Sequence, residues 1–200
     1  MAVVTPIQNP QKRPPEAFRF AKLFDLGIGN VVVTRFKADG RTESGVFLVD
    51  VFCLGVKDAF FAEFNSHREY RERLIGRTQE NSELIPMAPA AARKLVEDAI
   101  AWAAGLGFAP APDYKRAARV FGGISAAECQ EEFVFGDKGK PLFAAGPNDG
   151  PERCRKILAA LHRRCGPDGY HYFLPLEVAD VLAGEPWFTR PGDAAPEGRQ

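Results

Sequence analysis

The sequence predicts an α+β fold, because strands paired by short turns are followed by grouped helices rather than alternating with single helices. Two β-hairpins and a C-terminal strand are expected to form a single layer of sheet, packed with three to five helices. The chain has 200 residues, of which 46% are hydrophobic and 26% charged, as is usual for one globular domain. A chain of this length needs neither a metal nor a disulfide to fold.

The composition divides the chain into three regions. Residues 1–15 contain four prolines and predict a mobile N-terminal arm. Residues 184–200 are dominated by Pro, Gly and charge and predict a disordered tail. Residues 16–183 predict a single α+β domain, in which two hairpin-then-helix units at 30–106 and 130–176 suggest an internal duplication that their dissimilar sequences do not establish.

The first third of the chain predicts one short helix and three strands. The helix is expected at 18–24, where the apolar residues would share one helical face. The Asp39-Gly40 pair is a turn signal between two runs rich in Val and Phe. Strands are expected around it and beyond it, at 30–36, 45–53 and 58–64.

The rest of the chain predicts mainly helices. Ser66 and Glu69 form a capping box, and Pro89 suits the first turn of the most clearly periodic helix. The expected helices are 67–75, 89–105, a segment that follows Asp113, 151–165 and 178–182. The second hairpin is expected to pair 132–135 with 141–145, and a final strand is expected at 170–174.

Asp50 lies inside an apolar strand, where an ionised carboxylate is costly unless it is paired. One interpretation makes it the catalytic residue of a metal-dependent nuclease or hydrolase, with Asp58 as a second candidate. Further acidic partners would come from later segments, namely Glu97, Asp98 and Asp113. The alternative is structural: Asp50 would pair with Arg35 or Lys57, or would accept backbone hydrogen bonds.

The helix predicted at 151–165 contains most of the remaining candidate functional residues. The loop at 146–151 opens it, and free N–H groups at a helix start suit an anion, although the loop lacks both the GxxxxGK and the GxGxxG patterns. Cations dominate the helix and aromatic residues follow it, as in surfaces that hold a nucleic-acid backbone. The candidate binding residues are Arg153, Arg155, Lys156, Arg163, Arg164, Tyr170 and Tyr172. The alternative is a solvated face whose charges are balanced by acids elsewhere.

Charge and motif content exclude several classes of function. Lys plus Arg and Asp plus Glu both number 26, so no overall field attracts a polyanion or a membrane. No serine lies in a GxSxG motif that would mark a nucleophile, and no HExxH motif marks a metal site. No metal or cofactor is expected. The cysteines read as buried free thiols, and the N-terminus lacks a signal-peptide pattern, so a cytoplasmic location is expected. The cysteines are Cys53, Cys129, Cys154 and Cys165.

Three phrases of the chain carry a resemblance. They are GVFLVDVFCLGVKDAFF (45–61), ARKLVEDAIAWAAGLGFAPAPDY (92–114) and FGDKGKPLFAAGPNDGPERCRKIL (135–158). They are similar to a group of uncharacterised bacterial proteins, over about residues 30–174. The resemblance implies a bacterial, intracellular origin and brings no activity or catalytic residue with it.

Three hypotheses about function follow from these patterns. The leading one is a non-catalytic binding module that holds RNA, DNA or a partner protein through the basic helix. The second is the metal-dependent nuclease or hydrolase built around Asp50. The third is a scaffold subunit that works inside an assembly. The pattern predicts no membrane contact and leaves the oligomeric state open.

Overall fold

A five-stranded antiparallel sheet forms the centre of the protein. The computed structural model describes residues 13–188. The strands are β1 (Glu16–Phe20), β2 (Ile28–Phe36), β3 (Thr42–Asp50), β4 (Gly55–Phe64), β5 (Leu84–Met87), β6 (Leu142–Ala144) and β7 (His171–Phe173). The first five make the main sheet in the order β4-β3-β2-β1-β5, and β6 and β7 make a small separate sheet. The α+β class expected from the sequence is confirmed.

Helices cover both faces of the main sheet. The α-helices are α1 (Leu23–Leu26), α2 (His67–Tyr70), α3 (Arg77–Asn81), α4 (Pro89–Leu106), α5 (Tyr114–Ala117), α6 (Pro151–Cys165) and α7 (Leu176–Leu182). A π-helical segment, Arg71–Gly76, joins α2 to α3, and 3-10 turns follow at Ala118–Val120 and Ala126–Glu128. The capping box forms at α2, where the Ser66 hydroxyl accepts a hydrogen bond from the Glu69 N–H at 3.2 Å.

The β2–β3 hairpin is buried on both faces, which explains its lack of polar alternation. Val31, Val33, Phe47 and Val49 point to the face covered by α4, where the first core forms. The neighbouring positions Val32 and Val46 point to the opposite face and pack with Tyr70, Leu74 and Ile75. The predicted Asp39-Gly40 turn closes the hairpin, and Gly40 has a φ of 87°.

A second core lies beside the main sheet and is built around α6. The buried side of α6, namely Cys154, Ile157, Leu158 and Leu161, packs on Phe143 of β6 and on Val178 and Leu182 of α7. Cys53 and Leu54, in the turn between β3 and β4, belong to this same cluster. The turn therefore connects the sheet with the second core.

The helix expected at 18–24 is wrong over its first half. Residues Glu16–Phe20 form β1, which pairs antiparallel with β2 on one side and with β5 on the other. The short apolar pattern here fits both a helical face and strand alternation, since Phe18 and Phe20 are two residues apart. The partners on both sides satisfy the backbone of a strand, and helix α1 starts only at Leu23. Strand β5 was not expected at all.

The second hairpin is also wrong. Residues 132–135 have no regular structure, and β6 pairs in parallel with β7 rather than antiparallel with that segment. The turn itself forms, with a bridge between Asp137 and Lys140. The flanking backbone bonds to the β3–β4 turn instead, because the Gly136 N–H donates to the Val51 carbonyl and the Leu142 N–H to the Phe52 carbonyl.

The predicted ends of the domain are described only in part. Residues 1–12 of the expected arm and 189–200 of the expected tail lie outside the described residues. Within the predicted tail, Trp187 and Phe188 pack against the second core, and Glu185 forms an ion pair with Arg155 at 2.7 Å. Within residues 13–188, no helix is both long enough and apolar enough to cross a bilayer.

Gly55 allows α4 to approach the start of β4. Its φ is 66°, and a Cβ there would lie 2.7 Å from the Ala103 Cβ and from the Ala99 carbonyl oxygen. We expect Gly55→Ala to lower the free energy of unfolding by about 2–4 kcal/mol, because it adds both backbone strain and overpacking. Urea unfolding followed by tryptophan fluorescence measures the loss.

Gly40→Ala is the matched control for this prediction. Gly40 also has a positive φ, 87°, but a Cβ there would meet nothing within 4 Å. Its loss should therefore be only about 1 kcal/mol, from the backbone alone. Equal losses in the two variants would show that the contact with α4 does not constrain the fold.

Candidate functional site

Asp50 holds the turn between β3 and β4. Its Oδ1 accepts hydrogen bonds from the backbone N–H groups of Phe52, at 3.0 Å, and Cys53, at 2.8 Å. Burial raises the pKa of the carboxyl above its ordinary value, against the opposing effects of the Cys53 N–H and the Lys57 charge. The position matches the structural alternative, in which the carboxylate accepts backbone hydrogen bonds. Arg35 pairs instead with Glu43.

Asp58 and the other expected acids do not gather around Asp50. Asp58 is exposed on β4 and its Oδ1 accepts a hydrogen bond from the Ala59 N–H. Glu97 and Asp98 pair along α4 with Arg93 and Lys94. Over the described part of the chain, no group of three or more His, Cys, Asp or Glu residues could hold a metal ion. The nuclease hypothesis therefore stays a prediction.

The loop before α6 contains its own anion. The Asp149 side chain is only 5% exposed, and its Oδ2 accepts a hydrogen bond from the Gly146 N–H at 2.9 Å. Its Oδ1 lies 2.8 Å from the Arg153 Nε, and its Oδ2 lies 3.5 Å from the Lys57 Nζ. The sequence suggested an external anion for this loop, and the Asp149 carboxylate occupies the loop instead.

The cations of α6 differ in how far the protein itself neutralises them. Arg155 is paired twice, with Glu152 at 2.6 Å and with Glu185 at 2.7 Å. Lys156 has only a long, exposed contact with Glu152 at 3.6 Å. Arg163 and Arg164 are exposed and have no carboxylate within ion-pair distance among residues 13–188. The positive charge thus remains available at the C-terminal half of the helix.

Four of these cations lie on one side of α6. At 100° per residue, Arg153, Lys156, Arg163 and Arg164 fall within about 100° of one another around the axis. Arg155 lies outside this sector and faces the chain that follows α7, where Glu185 is. From Arg153 to Arg164 the row extends about 16 Å along the axis.

This row borders a groove between α6 and the segment that follows α4. The groove has a volume of about 390 Å³, and its lining includes Arg153, Lys156, Lys57 and residues 107–112. Arg164 reaches the far end of that segment, since its Nε lies 4.0 Å from the point where a Cβ on Gly107 would be. We call these five cations and the segment 107–112 the basic groove; the cations are Lys57, Arg153, Lys156, Arg163 and Arg164.

A β-bulge places Lys57 in the basic groove. Leu48 pairs with Asp58 and Val49 pairs with Val56, so that Lys57 is the extra residue of β4. Its side chain is 14% exposed and is directed to Asp149. The sequence indicates Lys57 only as a partner for Asp50, because no local pattern links residue 57 to a helix nearly a hundred residues later.

The two candidate tyrosines do not line the basic groove. Tyr170 is buried in the second core, and Tyr172 is half-buried and contacts the rings of Tyr170 and Phe188. Strand β7 instead exposes His171 and Phe173, and Phe173 is 68% exposed. Tyr170 is therefore a core residue, whereas Tyr172 is partly accessible, and the stacking of a base on this strand stays a prediction.

The position of Asp50 leads to a prediction about stability. Asp50→Ala should lower the free energy of unfolding by about 2–3 kcal/mol, because two turn N–H groups lose their acceptor. Asp50→Asn keeps an oxygen in place and should lose less. Since the folded-state pKa is raised, the stability of the wild type relative to Asp50→Asn should fall as pH rises through and above the ordinary value of 3.8. Urea titrations across this range measure the difference.

An Asp50→Asn variant as unstable as Asp50→Ala at every pH would contradict this view. It would mean that the negative charge, rather than the acceptor oxygen, holds the turn.

The basic groove presents cations at separated points along an open surface. Two acids, Asp149 and Glu152, oppose five cations there, so the groove carries a local positive charge although the chain as a whole has a formal net charge of 0. Such an arrangement can hold an extended anion without transforming it.

Comparisons of the chain with protein-family models, with curated proteins and with solved structures give no match.

Proposed function

We propose that the protein is a binding module for nucleic acid and that the basic groove holds the phosphate backbone. The observation that carries the proposal is the row of cations along one side of α6, of which Arg163 and Arg164 lack a carboxylate partner among the described residues. Cations in a row match a polymer with regularly spaced negative charges better than they match one small ion.

The dimensions of the row support a backbone ligand. About 16 Å separates its ends along the helix axis. A nucleic-acid strand advances about 3.4 Å per phosphate along its axis, so several successive phosphates could face the row. Arginine presents a planar fork of donors that fits phosphate oxygens, and three of the five cations are arginines.

The acids of the groove set the strength of binding that we expect. Asp149 neutralises the charge of Arg153, and Glu152 partly neutralises that of Lys156. We therefore expect the C-terminal half of the row to carry most of the affinity. The exposed ring of Phe173 belongs to β7 and not to the groove, and Phe108, which does line the groove, is half-buried and packs against the second core. The proposed binding is therefore to the backbone and independent of base sequence.

The other two hypotheses of the sequence analysis remain predictions. The nuclease hypothesis depends on Asp50, whose Oδ1 is engaged by the β3–β4 turn. No specific contact in the described part of the chain favours the scaffold hypothesis. A protein partner of the basic groove would have to be acidic, and binding of such a partner without any oligonucleotide would contradict nucleic-acid binding.

Fluorescence anisotropy with labelled single-stranded RNA, single-stranded DNA and duplex DNA tests the proposal. Affinity should fall linearly with the logarithm of salt concentration. The double variant Arg163→Ala/Arg164→Ala should bind about tenfold more weakly at low salt and should lower the steepness of the salt dependence by about 1.4 for single strands, at about 0.7 per phosphate contact.

The control variant Arg41→Ala/Arg68→Ala removes the same charge elsewhere. The two side chains are 58% and 87% exposed and lie outside the groove lining. Its binding should stay close to that of the wild type. Affinity that does not change with salt, or equal losses in the two double variants, would refute the proposal. So would binding of poly-glutamate by a protein that binds none of the oligonucleotides.

Removal of a groove acid should have the opposite effect. Glu152 is 66% exposed on its side chain and contacts both Arg155 and Lys156. Glu152→Gln frees Lys156 for a phosphate and should strengthen binding about threefold in the same assay, in line with the modest energy of an exposed ion pair. Weaker binding by Glu152→Gln would show that the acid helps to arrange the cations.

A further inference from the structure

A second and larger cavity lies at the other end of α4. Its volume is about 750 Å³, within the range of sites for small molecules. The basic groove adjoins the C-terminal end of α4, at Gly107, whereas this cavity adjoins the N-terminal end, at Pro89. The two sites therefore share no lining residue.

Three cations among residues 13–188 line the cavity. Arg35 and Lys37 stand at the end of β2, and both pair with the one carboxylate of Glu43, at 2.9 Å and 2.8 Å. Arg13 lies above the ring of Phe36, with the guanidinium carbon 5.8 Å from the ring centre, and no carboxylate of residues 13–188 lies within ion-pair distance of it. Positive charge thus exceeds the charge of Glu43.

The Arg35 guanidinium is held in place but is incompletely bonded. Its Nη2 donates to Glu43 and to the Arg119 carbonyl at 3.1 Å, and a Cβ on Gly122 would lie 1.9 Å from its Nη1. Its Nε is buried and has no hydrogen-bond partner. A buried donor without an acceptor is costly, but the Arg35 side chain as a whole is 31% exposed, so its positive charge still borders the cavity.

The backbone of α4 adds further donors. Ala88 provides no side-chain cap, and the first helical bond at this end runs from the Ala92 N–H to the Ala88 carbonyl. The N–H groups of Ala90 and Ala91 come before that bond and are left without a helical acceptor. The helix end also carries a partial positive charge that adds to that of the three cations.

The rest of the lining is largely apolar. It contains Pro14, Pro15, Pro89 and Ile124, together with the Phe36 ring. One acid, Glu128, also borders the cavity and reduces its positive charge. A fully hydrated inorganic ion would leave these apolar surfaces unused.

We propose that this cavity binds a small organic anion, with its carboxylate or phosphate group on Arg13, Lys37 and the start of α4 and its apolar body on the Phe36 side. The proposal is independent of nucleic-acid binding, because it uses other residues at the opposite end of α4. A carboxylate and a phosphate would accept hydrogen bonds from the same donors here, and the experiment distinguishes between them.

Titration of the full-length, ¹⁵N-labelled protein with benzoate, phenyl phosphate and uncharged benzyl alcohol, followed by NMR, tests the proposal. At least one of the two anions should shift the amide signals of Ala90, Ala91 and Gly123 in a saturable manner, and benzyl alcohol should not. Comparison of the two anions identifies the preferred group. Arg13→Gln should weaken binding of that anion about tenfold, since it removes a charge-assisted contact.

Two further variants complete the test. Lys37→Gln should also weaken binding, and Arg41→Gln, in the nearby β2–β3 turn and outside the lining, should not. The proposal is overturned if neither anion shifts these amides, if benzyl alcohol binds as well as the anions, or if Arg13→Gln and Lys37→Gln both bind like the wild type. None of these results depends on whether the basic groove binds an oligonucleotide.

Discussion

The fold depends on the hydrogen bonds that Asp50 makes at the turn between β3 and β4. Its Oδ1 fixes the N–H groups of Phe52 and Cys53, and this fixes which way the turn faces. Val51 belongs to the core between the sheet and α4, whereas Cys53 belongs to the core around α6. One carboxylate thus couples two hydrophobic clusters. The cost of its burial is only partly offset by the backbone donors and by the nearby Lys57 charge, and the pKa of the carboxyl stays raised.

The same turn determines the position of the basic groove. The bulge that follows it places Lys57 beside Asp149, and Asp149 in turn contacts Arg153 at the start of α6. The groove is therefore a consequence of how the second core attaches to the sheet. Its acids also limit its charge: Glu152 and Glu185 neutralise Arg155, whereas Arg163 and Arg164 have no such neighbours in the described part of the chain. Helix α6 therefore presents uncompensated positive charge mainly over its C-terminal half.

Elements that depend on residues close together in the sequence were predicted correctly, whereas those that depend on distant segments were not. The β2–β3 hairpin and helices α4 and α6 were predicted well, because turn residues and apolar spacing are local properties. The helix expected at 18–24 was partly wrong because β2 and β5 supply strand partners from distant parts of the chain. At the candidate site, the arginines and Lys156 were recognised from their density. The pairing of Arg155 with Glu185 was not, since Glu185 lies 30 residues beyond Arg155.

The sequence by itself determined the α+β class, the main hairpin and the presence of a cation-rich helix. Each of these follows from residues that are close together along the chain, where periodicity and turn preference act. Only the tertiary structure decided which cations stay unpaired, that Tyr170 is core rather than surface, and that β6 pairs in parallel with β7. Electrostatic compensation and burial depend on distances in space, and segments far apart in the chain set those distances.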